Sequence, residues 1–279
     1  MRPRHRRIAG RVALNATALA TFVVMVFPVY WMVATSFKRG QDILSYTPTW
    51  FPTHATLHNF SSAIHRPYFW RDVENSLIIV GAVVVLSLAL AFLAALALAK
   101  FRFYGRRPFI VLIMVVLMVP PNALLIPLYI ELSKAGEVNT LTGVVITYMT
   151  FVLPFMVWTL RGFISGVPRE LEEAAMVDGT TRFGAFVRVL LPLVAPGLVA
   201  TSIFAFIQAW NEFIIAYVFL HSPDKQTLTV WLASFTSLHG TDWGPLMAGA
   251  TLTALPVVFF FVLIQRRIAF GLTAGAVRG

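Results

Sequence analysis

The sequence predicts an all-α, polytopic membrane protein with six transmembrane helices. Only 12% of its 279 residues are charged and 58% are hydrophobic, whereas soluble domains carry about 25% charged residues. A helix needs about 20 apolar residues to cross a bilayer, and continuous apolar runs favour helices over a β-barrel. Six predominantly apolar segments of at least 23 residues contain no charged residue: 12–37, 75–99, 108–130, 138–160, 189–211 and 243–265.

Positive charges are distributed unevenly between the two sides of this arrangement. With the N-terminus inside, 16 of the 22 Lys and Arg residues fall in cytoplasmic segments and 6 fall outside. This bias predicts that both termini lie in the cytoplasm. It accounts for the net charge of +10 without a nucleic-acid partner. The absence of cysteine excludes disulfides and thiolate metal sites.

The first span is predicted to remain uncleaved, because its apolar run is longer than a typical signal-peptide core. The segment that follows, residues 38–72, is rich in Trp and Pro and predicts an external loop or short helices at the outer surface. We therefore expect an N-terminal region over residues 1–72 and a core of five spans over residues 73–279, which includes a cytoplasmic tail.

Prolines interrupt the third span. Pro120, Pro121 and Pro127 remove backbone donors, so this helix must be kinked or broken. A packing kink is the simpler interpretation, and a broken helix that lines a pathway is the alternative. The fifth span is expected to run over about residues 191–220.

One long polar stretch with its own helix lies at residues 161–190, on the predicted cytoplasmic side. Pro168 suits the first helical position, glutamates follow in the first turns, and Gly179 marks a left-handed C-cap. Residues 168–178 are therefore predicted to form a helix of about three turns, and Thr180 or Thr181 is expected to cap the next helix. By spacing alone, a docking helix and a solvated connector are equally good interpretations.

This stretch resembles the EAA motif of ABC importer permeases, E-A-A-x3-G-x9-I-x-L-P, with valine in place of isoleucine. The matching residues are Glu173, Ala174, Ala175, Gly179, Val189, Leu191 and Pro192. Residues 75–76, 126–129, 210–213 and 265–279 are similar to the carbohydrate-uptake branch of that family, which includes the maltose-system permease. The resemblance therefore covers residues 75–279.

The resemblance implies a type I ABC importer permease fold in the plasma membrane of a prokaryote. Such permeases pair with a second homologous permease, two ATPase subunits and an extracytoplasmic sugar-binding protein, and they carry a carbohydrate across the lipid bilayer. ATP and magnesium would be bound by the ATPase subunits. This chain has no Gly-rich phosphate loop, so we expect no catalytic residue, cofactor or metal on it.

The resemblance also implies two contact sites for the ATPase subunits. In the coupling helix, Glu173 would pair with a basic ATPase residue, and Gly179 would permit the turn that follows. The implied coupling residues are Glu173, Ala174, Ala175, Asp178, Gly179, Leu191 and Pro192. The implied C-terminal contact residues are Gly271, Leu272, Thr273, Gly275, Val277 and Gly279.

Polar residues within the spans are candidates for the substrate path. Gln208, Asn211 and Glu212 are spaced i, i+3, i+4 and are expected to share a helical face, and Asn122 is a further candidate in the third span. An acid in a span is costly and normally faces the bundle interior or water. Sugar hydroxyls need hydrogen-bond partners of this kind. A polar contact to a neighbouring helix or to a partner permease is an equal alternative.

Two other classes of membrane protein remain as alternatives. A secondary transporter that works without an ATPase would typically carry coupling acids within its spans, and Glu212 is the only acid in the predicted spans. A membrane-embedded enzyme would need several catalytic groups clustered at one depth, and the sequence offers none. The sequence therefore favours a sugar permease that works by alternating access and is driven by ATP on partner subunits.

Overall fold

The computed structural model describes the backbone of residues 3–238 and 240–276 and the side chains of residues 11–238 and 240–263. The described chain is almost entirely helical, as predicted. Its α-helices are α1 (Pro3–Ser36), α2 (Gly40–Ile43), α3 (His58–Ile64), α4 (Phe69–Lys100), α5 (Arg106–Met118), α6 (Leu125–Lys134), α7 (Leu141–Ser165), α8 (Arg169–Val177), α9 (Arg182–Ala185), α10 (Leu191–Asn211), α11 (Ile214–Phe219), α12 (Leu228–Ala233) and α13 (Trp243–Ala276).

Shorter elements fill some of the connections. A π-helical turn, Phe186–Leu190, joins α9 to α10, and 3-10 turns cover Pro121–Leu124 and Pro223–Lys225. Two short strands, β1 (Thr236–Ser237) and β2 (Gly240–Thr241), pair antiparallel, with Thr236 opposite Thr241. The short helices α2 and α3 lie in the segment that was predicted to hold a loop or short helices.

Five helices of the described chain are long and apolar enough to cross a membrane. They are Arg11–Ser36, Phe69–Lys100, Leu141–Ser165, Arg182–Asn211 and Trp243–Leu263. A further apolar pair, Arg106–Met118 and Pro121–Lys134, meets at 97° and forms either a broken sixth span or a re-entrant loop. The predicted interruption of the third span is confirmed, because the chain bends where two consecutive prolines remove backbone donors.

The prediction of one continuous helix over residues 191–220 was wrong. Helix α10 ends at Asn211, and Glu212 has an extended backbone with ψ of 131°. Helix α11 then begins at Ile214. The helix of the fifth span therefore ends before Glu212, although the sequence there contains neither proline nor glycine.

The chain forms two compact units, and the first comprises the described residues of Met1–Phe69 and Leu232–Leu255. Within it, Asn59 ties the external segment to the end of α1, because its amide donates to the carbonyls of Ser36 (2.9 Å) and Lys38 (2.7 Å). The buried Lys38 ammonium donates to the Thr49 carbonyl. Burial lowers the pKa of Lys38, and the Asp42 carboxylate opposes that shift.

The second unit comprises the described residues of Trp70–Trp231 and Pro256–Gly279. Helix α7 is central to it and packs against α5, α10 and α11. Val144, Met156 and Leu160 of α7 are fully buried. Phe155 of α7 packs on Phe204 of α10, with ring centroids 4.0 Å apart. The connection between α7 and α10, which carries the predicted docking helix, therefore starts and ends on two helices that pack against each other.

Replacing Gly143 by Ala is expected to destabilise the protein by about 1–3 kcal/mol. The added Cβ would fall on the backbone carbonyl oxygen of Glu137, which cannot swing away as a side chain can. Gly162→Ala in the same helix is the control, because its Cβ would meet nothing within 4 Å and alanine favours helices by up to about 1 kcal/mol. Thermal unfolding of the purified variants measures both changes. Equal stability of the two variants would contradict this packing.

Candidate functional site

Helix α8 forms the polar element that was predicted between the fourth and fifth spans. Pro168 occupies its N-cap position, and Glu170 and Glu172 lie in its first turn, where the helix dipole favours negative charge. Gly179 has a φ of +92°, a left-handed conformation that glycine adopts at little cost. The predicted helix and its glycine C-cap are confirmed, and each end differs from the prediction by one residue.

A hydrogen-bonded turn closes the C-terminal end of α8. The Gly179 N–H donates to the Met176 carbonyl and the Thr180 N–H to the Ala175 carbonyl, both at 3.1 Å. This pair of bonds is the Schellman motif, which satisfies the last carbonyls of a helix. The Thr180 hydroxyl also donates to the Ala175 carbonyl at 2.6 Å. The end of α8 is therefore fixed by both backbone and side-chain bonds.

Thr181 starts the helical segment that leads into the fifth span. Its hydroxyl accepts from the Gly184 N–H at 3.1 Å, so Thr181, rather than Thr180, is the cap of α9. Helix α9 passes through the π-helical turn into α10, where Leu191 and Pro192 form the first turn. Only the short turn at residues 178–181 separates α8 from a helical segment that continues through the membrane span.

An ion pair attaches α8 to the end of α4. The Lys100 ammonium lies 2.5 Å from the Glu172 carboxylate and 3.4 Å from the Val167 carbonyl. The two paired side chains are 12% and 22% exposed, so water screens them only in part. The Arg169 guanidinium donates to the Lys100 carbonyl at 2.8 Å. Sequence reasoning missed this pair because its partners are 72 residues apart; the only signal was a lysine directly after residues 75–99.

A cavity of about 270 Å³ lies between α8, the end of α4 and the segment before α10. Glu172 and Glu173 line it together with Arg169 and Arg182. Glu173 is exposed and forms no ion pair within the described residues. The remaining predicted coupling residues of this loop are Ala174 and Asp178, which are exposed, and Ala175, which is half-buried. An exposed, unpaired carboxylate on a fixed helix suits a contact with a basic group of another protein.

Glu212 lies in the break between α10 and α11. Its carboxylate accepts the N–H groups of Ile215 at 2.8 Å and Ala216 at 3.1 Å. Its backbone carbonyl accepts the Thr229 hydroxyl at 2.7 Å. The carboxylate thus satisfies first-turn donors of α11 that would otherwise lack partners in an apolar segment. These two hydrogen bonds give Glu212 a structural role at the start of α11.

The other candidate substrate-path residues lie at exposed positions. Gln208 is exposed on α10, and Asn211 is exposed at its last residue. The prediction that Glu212 continues their helical face was wrong, because α10 ends at Asn211. Asn122 is exposed in the 3-10 turn at the bend between α5 and α6. The role of these residues in a substrate path stays a prediction.

The predicted C-terminal contact residues fall at the limit of the described chain. Gly271, Leu272, Thr273 and Gly275 lie in the last part of α13, where only the backbone is described, and Val277 and Gly279 lie outside the described residues. Their predicted contact with an ATPase stays a prediction. Within the described part of the chain, no three His, Asp or Glu residues come together as possible metal ligands.

Asn139 organises the segment that follows α11, a role that sequence reasoning missed. It has a positive φ of 60°, and its side-chain oxygen accepts the N–H groups of His221 and Ser222, both at 3.0 Å. Its backbone carbonyl accepts the Lys225 ammonium at 2.9 Å. A single asparagine therefore holds the start of this segment against the residues before α7.

Asn75 and Ser76 of α4 hold the next part of the same segment. The Asn75 amide donates to the carbonyls of Asp224 at 3.0 Å and Gln226 at 2.9 Å. The Ser76 hydroxyl accepts the Leu228 N–H at 2.9 Å. These two residues belong to the sequence resemblance described above, and the structure shows that they bind backbone groups of another segment.

Comparison with known proteins agrees with this architecture. The family model described as "Binding-protein-dependent transport system inner membrane component" matches residues 87–273. The chain is 48% identical over 274 residues to the diacetylchitobiose uptake system permease protein DasC of Streptomyces coelicolor, covering 98% of this chain and 99% of the relative. It is 32% identical over 275 residues to the trehalose/maltose transport system permease protein MalG of Thermococcus litoralis, covering 98% of each.

A solved structure shows the same fold. One chain of a bacterial ABC transporter involved in the import of the acidic polysaccharide alginate superposes with a TM-score of 0.80 at 23% identity, covering 95% of this chain and 98% of that chain. The protein therefore belongs to the binding-protein-dependent transport inner membrane permeases of ABC importers. It is a multi-pass membrane subunit, and the ATPase activity of such a system lies on a partner subunit.

Reversing either charge of the Lys100–Glu172 pair is expected to weaken the attachment of α8. Lys100→Glu or Glu172→Lys places like charges together at a partly shielded site, at a cost of about 1–3 kcal/mol. The double variant Lys100→Glu/Glu172→Lys is expected to recover most of that loss. Unfolding of the purified permease measures stability, and ATP hydrolysis per sugar transported by the assembled system measures coupling.

The control for this exchange is the pair Glu131–Lys134, whose side chains are 69% and 67% exposed. Reversing each of its charges is expected to change stability by less than about 1 kcal/mol. Single variants of Lys100 or Glu172 that match the wild type in stability and coupling would show that the Lys100–Glu172 pair does not hold α8.

Removing the Glu212 carboxylate is expected to destabilise the break between α10 and α11. Glu212→Ala leaves two N–H groups without acceptors and is expected to lower the free energy of unfolding by about 1–3 kcal/mol. Glu212→Gln keeps one acceptor oxygen, so its stability should lie between those of Glu212→Ala and the wild type. Gln208→Ala, at an exposed position, is the control and is expected to stay within about 0.5 kcal/mol of the wild type. Unfolding measures stability and uptake measures KM. Unchanged stability with a raised KM in Glu212→Ala would instead indicate contact with substrate.

Proposed function

We propose that this permease is the membrane subunit of an ATP-driven importer that carries a di- or oligosaccharide. Relatives over nearly the whole chain support the carbohydrate class, since one is named for diacetylchitobiose uptake and another for trehalose and maltose transport. The relative at 48% identity makes diacetylchitobiose the first sugar to test.

In this proposal the permease pairs with a second homologous permease, and two ATPase subunits dock against the pair. An extracytoplasmic sugar-binding protein delivers the substrate, and ATP and magnesium are bound by the ATPase subunits. The charge bias supports a cytoplasmic location for both termini and for α8, where ATP is available. Residues 271–279 would supply a second contact with the ATPase subunits.

The observation that carries the proposal is the way α8 is fixed. One side of the helix is paired with Lys100 of α4, and its C-terminal end is closed by the turn at Gly179. Glu173 remains exposed beside a cavity. A connector without a partner has no need of such attachment, whereas a docking helix must pass a displacement to the spans. Movement of docked ATPase subunits would therefore tilt the spans and change the side to which the substrate cavity opens.

Gln208, Asn211 and Asn122 are proposed to border that cavity. Their side chains are exposed in the single chain, and amide groups offer both donors and acceptors to sugar hydroxyls. Glu212 is proposed to lie beside the path as well, although its carboxylate already binds two backbone N–H groups. Its contribution would then be to keep the break in place rather than to bind the sugar.

The test is reconstitution of the full transporter, with both permeases, the ATPase subunits and the binding protein, in proteoliposomes. The wild type is expected to import labelled diacetylchitobiose and to hydrolyse ATP faster when the loaded binding protein is present. Glu173→Lys is expected to lower uptake about tenfold or more, because like charges at a protein interface cost several kcal/mol. Gly179→Leu should also impair uptake, because leucine at this φ costs about 1–2 kcal/mol.

Glu170→Lys is the matched control, since Glu170 is exposed on the same helix and lies outside the lining of the cavity. It is expected to support uptake near the wild-type level. Wild-type uptake and ATPase retention in Glu173→Lys and Gly179→Leu would contradict docking at α8. Sugar import by the permease without ATPase subunits, driven by an ion gradient, would identify a secondary transporter instead.

A further inference from the structure

Four arginines surround a cavity of about 800 Å³ at the start of α5 and the end of α7. They are Arg102, Arg106, Arg107 and Arg161, and none of the described residues that line the cavity is acidic. Within the described residues none of the four forms an ion pair. This set of residues, called the arginine cavity below, therefore concentrates positive charge that the described chain does not neutralise.

Two guanidinium donors in this set are buried without a partner. The Nε atoms of Arg106 and Arg161 are shielded from solvent and make no hydrogen bond in the described structure. The Trp158 ring, with its centroid 5.5 Å from the Arg161 guanidinium, offers a cation–π contact but no acceptor. A buried charged donor without an acceptor is costly. The positive-inside rule accounts for the number of arginines here, but not for donors that are removed from water.

We propose that the arginine cavity binds the phosphate group of an anionic phospholipid. Guanidinium groups pair with phosphate oxygens in a bidentate geometry that an ammonium cannot reproduce. Gly105 and Pro108 also line the cavity and place it at the N-terminus of α5, where the helix dipole adds partial positive charge. Basic pockets between transmembrane helices are typical sites for anionic lipid headgroups.

The position of the cavity favours a lipid over a protein partner. Its arginines lie directly beside the charge-free segments 75–99, 108–130 and 138–160, which places them at the predicted boundary between hydrocarbon and water. Phe103 and Tyr104 are exposed at its rim, and aromatic residues are enriched at that boundary. Pro108 and Ile110 add apolar lining, which suits the glycerol and upper acyl groups below a phosphate.

The experiment uses the assembled transporter in nanodiscs of phosphatidylcholine with phosphatidylglycerol, followed by gentle transfer to detergent. Native mass spectrometry then measures the phosphatidylglycerol that stays bound. Arg106→Gln/Arg161→Gln is expected to retain about tenfold less than the wild type. Arg188→Gln is the control, because Arg188 is exposed and lies outside the cavity. Equal retention by the wild type and both variants would overturn the proposal.

A second arm separates the lipid from free phosphate and from a protein contact. Excess inorganic phosphate is expected to leave bound phosphatidylglycerol in place; displacement of the lipid by phosphate would assign the site to a free anion and overturn the proposal. Loss of ATPase subunits from Arg106→Gln/Arg161→Gln with unchanged lipid retention would assign the arginines to a protein contact, which also overturns it.

A measurement on the wild type alone covers the case in which the double variant does not fold. Phosphatidylglycerol that carries a photoreactive diazirine near its headgroup is incorporated into the nanodiscs and activated. Cross-linked peptides are expected to contain residues 102–110 or Arg161. Cross-links confined to other parts of the chain would contradict binding at the arginine cavity.

Discussion

The rest of the structure depends on the rule that a backbone N–H or C=O group in an apolar segment must find its partner within the protein. The two interruptions of the spans show how the chain meets this rule. At the bend after α5, prolines remove donors, and the Ala123 N–H bonds locally to the Pro120 carbonyl at 3.0 Å. At the break after α10, the Glu212 carboxylate takes two N–H groups and the Thr229 hydroxyl takes a carbonyl.

The two breaks also show how far the sequence can predict such a fold. The bend at Pro120 was predictable, because proline lacks its donor in any context, and Gly179 predicted its own left-handed turn for a similarly local reason. The break at Glu212 was not predictable, because its residues fit a helix and the capping role of the carboxylate depends on the helix that follows. A turn that depends on one residue type, such as proline or glycine, can be predicted from the sequence. Whether the Glu212 carboxylate caps α11 or faces a substrate depends on contacts that form only in the folded chain.

The same limit applies to the attachment of α8. Its helix, its caps and its family motif were all visible in the sequence, yet the residue that holds it, Lys100, carried no motif and lies far away along the chain. The structural role of three polar residues was also hidden in the sequence. Asn75, Ser76 and Asn139 bind backbone groups of the segment after α11, so their polarity serves a connection. Like Glu212, these polar residues near the spans bind backbone groups.

These contacts join α4 and α10 at both of their ends. At one end, α8 is tied to α4 by the Lys100 pair and to α10 through the turn at residues 178–181. At the other end, residues 224–229 bond to Asn75 and Ser76 of α4 and to the Glu212 carbonyl after α10. A displacement of α8 must then move both spans together, because bonds at each end oppose sliding between them.

The fold must therefore yield elsewhere when α8 moves. The 97° bend between α5 and α6 is the best candidate, because the hydrogen bonds described there are local, from Val119 to Val116 and from Ala123 to Pro120. Rigid-body movement needs a few residues that absorb the change in backbone angles, and a segment whose described hydrogen bonds are all local can change its angle without breaking bonds to other elements. The hydrogen bonds described at the proline pair therefore do not oppose a change in the angle between α5 and α6.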